Sequence, residues 1–336
     1  MRAAVIYEHG GRDKIVLEND YPEPEPEAGW VKLRVRAVAV NFHDIFSRRS
    51  MPGIELPLPL IVGSDIAGEV VACGPGVEGV EIGARVLLDP AASPENGNRM
   101  IGERFDGGRA EFCVAHASQL VPIPDDVDFH VAASIPLAYA TAHRLMVTRG
   151  EVAAGETVLV LGASGGVGTA SVLLARAAGA TVIACGSGAD KLERLRELGA
   201  DHVIDYRKQD IRETVWELVG KPRIVGTGGV DLVMNSTGGG SWGDTLRCLK
   251  LGGRFLTCGA TGGFKEEVDA RYIWTFELDI RGSNGWQRSD VATMLSHAQS
   301  GRLAPVIDRI LPLAEAAEAD RLLEEREVFG KVVLTP

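Results

Sequence analysis

Residues 157–161 (TVLVL) form an unbroken run of β-branched and apolar residues that passes directly into Gly162-Ala163-Ser164-Gly165-Gly166-Val167-Gly168. No other stretch narrows the fold as far. A short apolar run without polar alternation is what a strand covered on both faces requires. The small residues after it let the backbone turn tightly into a helix that runs to about Ala178. Ala163-x-Gly165-x-x-Gly168 has the spacing of the dinucleotide fingerprint, with alanine in the first glycine position. A pyrophosphate bound there rests on the amides of the helix N-terminus.

The alternation of strand and helix continues downstream. Residues 181–184 read as a second buried strand. Asp190 is the expected N-cap of a helix with Leu192, Leu195 and Leu198 on one side, ended by Gly199. Further segments at 202–204, 232–234, 242–249 and 254–256 complete the pattern of a doubly wound parallel sheet. The first 125 residues differ. Short alternating runs at 31–40, 66–72, 85–88 and 110–114, separated by turn signals, predict a small barrel or sandwich. An apolar helical stretch at 129–148 joins the two regions, and the Pro-Glu segment 21–28 (YPEPEPEA) reads as an extended surface loop. The C-terminal region predicts one helix at 313–324 and a final strand at 331–334. A length of 336 residues accommodates two or three such units.

Charge and cysteine usage exclude several classes. The chain carries 35 basic and 46 acidic residues, a net −11, which disfavours nucleic acid and anionic membranes as partners. Five cysteines, an odd number with no C-x-x-C spacing, argue against a disulfide framework. The opening MRAAVIYEHGG is too short in apolar residues for a secretory signal. The longest nearly apolar run, 131–142, falls short of the ~18 residues needed to span a bilayer. The expectation is a cytoplasmic protein acting on a small molecule.

The end of the second strand selects between the two nicotinamide dinucleotides. An NAD site places an acid ~20 residues after the fingerprint, on the ribose 2′-hydroxyl. Here the strand ends Ala184-Cys185-Gly186-Ser187-Gly188, with no carboxylate before Asp190. Ser187 can donate to a phosphate oxygen, and Lys191 adds positive charge. Tyr206 and Arg207, after the third strand, are placed to close the pocket. The expected cofactor is NADPH.

These residues, with a barrel before and a return strand after, resemble the medium-chain dehydrogenase/reductase superfamily over essentially the whole chain. The marks are Gly63-Ser64-Asp65-Ile66-Ala67-Gly68-Glu69-Val70, Asp106-Gly107-Gly108-Arg109-Ala110-Glu111-Phe112, the glycine-rich turn, Leu198-Gly199-Ala200-Asp201-His202-Val203-Ile204 and Gly330-Lys331-Val332-Val333-Leu334. The resemblance implies an α/β protein. A GroES-like β-barrel domain, 1–128 completed by 282–336, would hold an inserted Rossmann domain, 129–281. It also implies a nicotinamide cleft between the domains and a homodimer or homotetramer.

The zinc-dependent branch binds its metal through Cys, a His in Gly-His-Glu, and a third Cys or acid. In this chain Asn41 stands at the first position and Ser64 at the second, and the third falls near 137–139 with no ligand. The segment 90–104 has the length of the structural zinc lobe without its cysteines. His43, Asp44 and Asp65 remain as donors from which a residual metal site could be built; the preferred reading is that they are ordinary hydrogen-bonding groups, with no metal site.

Without a Lewis acid, hydride delivery favours quinones and α,β-unsaturated carbonyls, whose developing charge a few hydrogen bonds can hold. The Asn-x-x-Asp start is similar to that of the quinone oxidoreductase branch, which places Asn41 near the substrate oxygen. Tyr139 is a candidate donor or an aromatic packing residue. Enoyl reductases that carry a tyrosine a dozen residues after the Asn find no counterpart in Arg48-Arg49-Ser50-Met51-Pro52-Gly53, where both arginines read as surface positions. Further cofactor contacts are placed at strand ends: Asn235-Ser236-Thr237, Cys258-Gly259-Ala260 and Ser283-Asn284. Cys258 reads as a buried thiol. Two other readings are an alcohol or aldehyde oxidoreductase and a non-enzymatic relative that binds NADPH.

Overall fold

Strand pairing begins with β1 (Ala3–Ile6) and β2 (Ile15–Glu18), which lie antiparallel. β3 (Trp30–Ala39) follows and buries Val31, Leu33 and Val35 while Arg34 and Arg36 stay in solvent, the period of two that a half-covered strand needs. After α1 (Phe42–Arg49) come β4 (Leu60–Ile61), β5 (Asp65–Cys73), β6 (Arg85–Leu88), β7 (Phe112–His116) and β8 (Leu120–Pro122). β3 is the hub: it pairs antiparallel with both β5 and β7. The structure is a computed structural model, and it describes residues 1–50, 56–91 and 100–336.

The chain then passes through α2 (Phe129–Ala133) and α3 (Ala140–His143), separated and followed by wider π-type turns at Ile135–Tyr139 and Arg144–Arg149. The apolar pattern of the sequence predicts one helix over 129–148. Pro136, with no N–H to give, interrupts it. The parallel sheet follows. It is built from β9 (Thr157–Val160), α4 (Gly166–Ala177), β10 (Thr181–Gly186), α5 (Ala189–Leu198), β11 (His202–Asp205), α6 (Ile211–Val219) and β12 (Val230–Met234). It continues through α7 (Trp242–Leu246), β13 (Leu249–Thr257), α8 (Ala270–Thr275) and β14 (Asp279–Gly282). The strand order is β11-β10-β9-β12-β13-β14, all parallel. The order reverses at β9, and in such sheets ligands bind at the carboxyl ends beside the reversal. Leu159 of β9, Ile183 of β10, Val233 of β12 and Phe255 of β13 belong to one apolar core.

α9 (Arg288–Gln299) leads to β15 (Ile307–Pro312), α10 (Ala316–Glu324) and β16 (Lys331–Thr335), and β16 joins β3. The contacts divide the chain into Met1–Ala138 with Val291–Pro336, and Tyr139–Asp290. These divisions fall about ten residues beyond the 128/129 and 281/282 boundaries of the sequence analysis, because α2 packs on β3 and β5. α9 and β15 are absent from the sequence expectation. Gly188, not Asp190, is the N-cap of α5, and Asp190 lies inside its first turn.

The first unit holds a buried ionic staple. Arg48 is fully buried, contrary to its expected surface position, whereas Arg49 is exposed. Arg48 Nε donates to Asp320 Oδ2 at 2.9 Å, and its Nη1 donates to Gly10 O at 2.7 Å. Asp320 Oδ1 lies 2.8 Å from Arg109 Nη2, and Arg109 reaches Asp44 at 3.5 Å. These partners tie α1 to α10 from opposite ends of the chain.

Candidate functional site

The turn between β9 and α4 is shaped by close backbone contacts. Gly165 N–H donates to Gly162 O at 3.0 Å, and Ala163 N–H donates to Cys185 O at 3.1 Å. A Cβ on Gly168 would lie 2.1 Å from Gly162 O and 2.7 Å from Ala163 Cα, so only glycine lets the helix start this close to the strand. Gly165 is different. It is exposed, its φ is −85°, and a Cβ there meets nothing nearer than 3.6 Å. Nothing in the protein itself demands glycine at 165. The open approach to the α4 N-terminus is the shape that a pyrophosphate needs. Ser164, Gly166 and Val167 complete the turn, half-buried beside it.

The other expected contact residues lie at carboxyl ends of the same sheet, and two loops among them are locked together. Asn235, fully buried, organises the loop after β12. Its Oδ1 accepts from Thr237 N–H (3.1 Å), Thr237 Oγ1 (2.9 Å) and Gly238 N–H (3.2 Å), while its Nδ2 donates to Ser241 Oγ at 2.8 Å. Asn235 thus acts on the loop that presents Ser236 and Thr237. A Cβ on Gly162 would come within 2.7 Å of Thr237 Cγ2, so this loop borders the glycine-rich turn. Gly262 N–H donates to Thr237 O at 2.7 Å, which brings in the loop after β13 that contains Cys258, Gly259 and Ala260. Burial pushes the Cys258 thiol up to about 12, so it stays a thiol at neutral pH. At the end of β14, Ser283 is buried and its Oγ has no hydrogen-bond partner among the described residues, while Asn284 beside it is exposed. A buried hydroxyl left unpaired is costly in a finished fold, and a ligand's polar group would satisfy it. The turn and this hydroxyl together fit a dinucleotide.

At the end of β10, Ser187 and Lys191 are half-exposed. Tyr206 N–H donates to Gly186 O at 3.2 Å, which sets Tyr206 beside Ser187. The nearest carboxylate in register is Asp205, opposite Gly186. It is buried and turned into its own loop, where it accepts from Arg207 N–H at 3.1 Å. Tyr139 is fully buried, with its hydroxyl 3.3 Å from Thr169 Oγ1 on α4. It is a packing partner of the turn-bearing helix, and an exposed donor at this position is not what the structure presents.

In the first unit, Asn41 is also committed internally. Its Nδ2 donates to Asp65 Oδ2 at 2.9 Å and more weakly to Ala39 O at 3.4 Å, and its Oδ1 accepts from Lys331 Nζ. Both amide hydrogens that would face a substrate oxygen therefore already have partners. Asp65 also accepts from Leu137 N–H at 2.8 Å, and Lys331 lies 3.4 Å from Asp65. Burial raises the Asp65 carboxyl and lowers the Lys331 ammonium from their ordinary values.

Comparison with known proteins agrees with both units. The Alcohol dehydrogenase GroES-like domain family matches residues 27–125, and the Zinc-binding dehydrogenase family matches residues 166–300. The quinone oxidoreductase of Rattus norvegicus is 28% identical, over 99% of this chain and 97% of its own. The chloroplastic NADPH-dependent alkenal/one oxidoreductase of Arabidopsis thaliana is 32% identical, over 100% of this chain and 80% of its own. A solved structure described as an NAD-dependent alcohol dehydrogenase superposes with a TM-score of 0.91 at 36% identity, covering both chains completely. The chain belongs to the medium-chain dehydrogenase/reductase superfamily, in its quinone oxidoreductase-like branch.

As a member of that superfamily it is a nicotinamide-dependent oxidoreductase. At the positions of the zinc branch's ligands, this oxidoreductase carries the Asn41 amide, clamped between Asp65 and Lys331, and the Ser64 hydroxyl, buried without a partner among the described residues. Among the described residues, no group of three or more His, Cys, Asp or Glu side chains is arranged to hold a metal. Residues 92–99 of the lobe segment, and Met51, Pro52 and Gly53, lie outside the described residues. No helix among the described residues is long and apolar enough to cross a membrane. Sequence reasoning missed Lys331 as the partner of Asn41. A lysine opening the apolar strand Lys331–Thr335 was the available signal, since such a residue is buried only when paired.

Proposed function

We propose that the chain is an NADPH-dependent, zinc-independent reductase of quinones or α,β-unsaturated carbonyls. The observation that carries the cofactor assignment is the end of β10. Ser187 stands where an acid would accept from a ribose 2′-hydroxyl, Lys191 lies one helical turn further, and the neighbouring Asp205 is bonded within its own loop. A carboxylate at 187 would repel a 2′-phosphate, whereas serine and lysine favour it. The bound cofactor supplies hydride. The chain's part is to seat the pyrophosphate on the α4 N-terminus and to offer Ser283 and the loops after β12 and β13 to the nicotinamide half. The acceptor class is supported by the replacement of the metal-binding positions with Asn41 and Ser64. That leaves an electrophile activated by its own conjugation as the suitable substrate. The names of the quinone oxidoreductase and alkenal/one oxidoreductase relatives support the same class.

The test titrates NADPH and NADH by fluorescence, then follows cofactor oxidation with a quinone, an alkenal and an aldehyde. NADPH should bind about 10–150-fold more tightly, the equivalent of one charge-assisted hydrogen bond to phosphate. Ser187→Asp with Lys191→Ala should erase that preference through affinity. Equal binding of NADH by wild type would refute the cofactor assignment. Turnover confined to alcohols and aldehydes would favour the alcohol dehydrogenase reading, in line with the structural neighbour of that description.

A further inference from the structure

The loop after β12 carries Gly238, Gly239 and Gly240 in succession, all with positive φ, at 61°, 69° and 85°. Three successive glycines give this loop a large conformational entropy to lose, so a fixed shape needs partners outside the run. The loop after β13 supplies them. Gly262 N–H donates to Thr237 O at 2.7 Å, and Gly239 N–H donates to Gly263 O at 3.0 Å. The two backbones are in direct contact. A Cβ on Gly238 would lie 2.2 Å from Gly263 O, and one on Gly239 would lie 2.9 Å from Gly262 O. A side chain also spans the two loops. Glu266, half-buried, accepts from Gly240 N–H at Oε1 (3.0 Å) and from Trp242 N–H at Oε2 (3.2 Å). Both bonds are charge-assisted, the stronger kind. Trp242 is itself anchored, its ring centroid 4.7 Å from that of Phe255 on β13. The carboxylate therefore closes the far end of the glycine run onto a fixed point. The near end borders the glycine-rich turn, where Thr237 Cγ2 lies 2.7 Å from the place of a Gly162 Cβ. All of these residues lie within the unit Tyr139–Asp290.

We propose that Glu266 is a positioning residue for the dinucleotide: by holding the loops after β12 and β13 in one arrangement, it sets the affinity for the nicotinamide half. This role rests on the cofactor reading above. Glu266 acts through the backbone of residues 236–242, which presents Ser236 and Thr237 beside the glycine-rich turn. Without the carboxylate, Gly240 N–H and Trp242 N–H turn to water, and the glycine run regains its freedom. A ligand that binds only the ordered arrangement is then weakened in proportion to the time that arrangement is lost. If it persists for about one-tenth of the time, the apparent dissociation constant rises about tenfold. The loss falls on NADPH and NADH alike, because the 2′-phosphate that distinguishes them is assigned to the end of β10. Glutamine at 266 keeps one acceptor oxygen without the charge, enough for one of the two amides.

Calorimetric titration of wild type, Glu266→Ala and Glu266→Gln tests the proposal. The ligands are NADPH, NADH and adenosine 2′,5′-bisphosphate, which lacks the nicotinamide half. Both dinucleotides should bind Glu266→Ala about tenfold more weakly than wild type, while the bisphosphate binds as before. Glu266→Gln should fall between, at about threefold, half the free-energy change. It carries the same comparison if Glu266→Ala does not fold. A purely structural role for Glu266 would lower the urea midpoint and leave the dinucleotide-to-bisphosphate ratio unmoved. Unchanged dinucleotide affinity in the folded variant therefore overturns this role alone. An equal loss for the bisphosphate reports a general loosening of the unit and overturns it too, as does a loss confined to NADPH. A wild type that binds neither dinucleotide overturns the cofactor reading, and this role with it.

Discussion

Gly165 and Gly168 belong to one turn, yet alanine at each should separate what holds the fold from what holds the ligand. A Cβ on Gly168 would lie 2.1 Å from Gly162 O and 2.7 Å from Ala163 Cα. Both atoms are backbone, so the turn itself must move, and over-packing of this kind costs about 1–3 kcal/mol. A Cβ on Gly165 approaches nothing closer than 3.6 Å, and its φ of −85° suits alanine. Gly165→Ala should therefore keep wild-type stability, or gain about 0.4–1 kcal/mol by restricting the unfolded chain. Its methyl group would stand at the N-cap of α4, in the path of a pyrophosphate approaching the helix amides. Dinucleotide affinity should drop about tenfold or more, equivalent to at least ~1.4 kcal/mol. Urea denaturation followed by circular dichroism reads the first quantity, and NADPH fluorescence titration reads the second. If Gly165→Ala binds NADPH as tightly as wild type, the pyrophosphate does not rest on α4. If Gly168→Ala is as stable as wild type, the close backbone approach does not limit the turn.

Two further outcomes follow from burial. Asp320→Ala should lower unfolding free energy by about 3–5 kcal/mol in the same denaturation assay, because it leaves Arg48 and Arg109 buried without their shared carboxylate. Cys258, its thiol raised to about 12, should react with iodoacetamide at neutral pH only slowly in the native protein and readily once unfolded, as read by mass spectrometry of the labelled peptide.

The glycine-rich turn and the strand ends beside it were largely legible in the sequence, and the buried charge pairs were not. Residues 157–168 announce a strand, a turn and a helix because each depends on neighbours a few positions away. The alternation downstream is legible for the same reason: apolar runs and small turn residues recur in local order. Expectation failed where local signals are weak or compete. α9, Arg288–Gln299, spreads Val291, Met294 and Leu295 among polar residues, so its apolar stripe is thin. Asp190 fits the capping rule, yet the Gly186-Ser187-Gly188 turn starts the helix two positions earlier.

By itself, the sequence determined the parallel sheet, the open turn at Gly165 and the lack of an acid at the end of β10, all of which are properties of contiguous residues. Tertiary structure alone decided where charge is buried. Arg48 reads as a surface residue until Asp320, 272 positions away, meets it. Asn41 reads as a donor to substrate until Lys331, 290 positions away, takes its oxygen and Asp65 its amide hydrogen. His43 reads as an ordinary polar residue until the turn carrying Glu103 is laid against it. A side chain's helical or strand preference is set by its own backbone and near neighbours, whereas its charge state and hydrogen bonds are set by whatever the folded chain brings within a few ångströms.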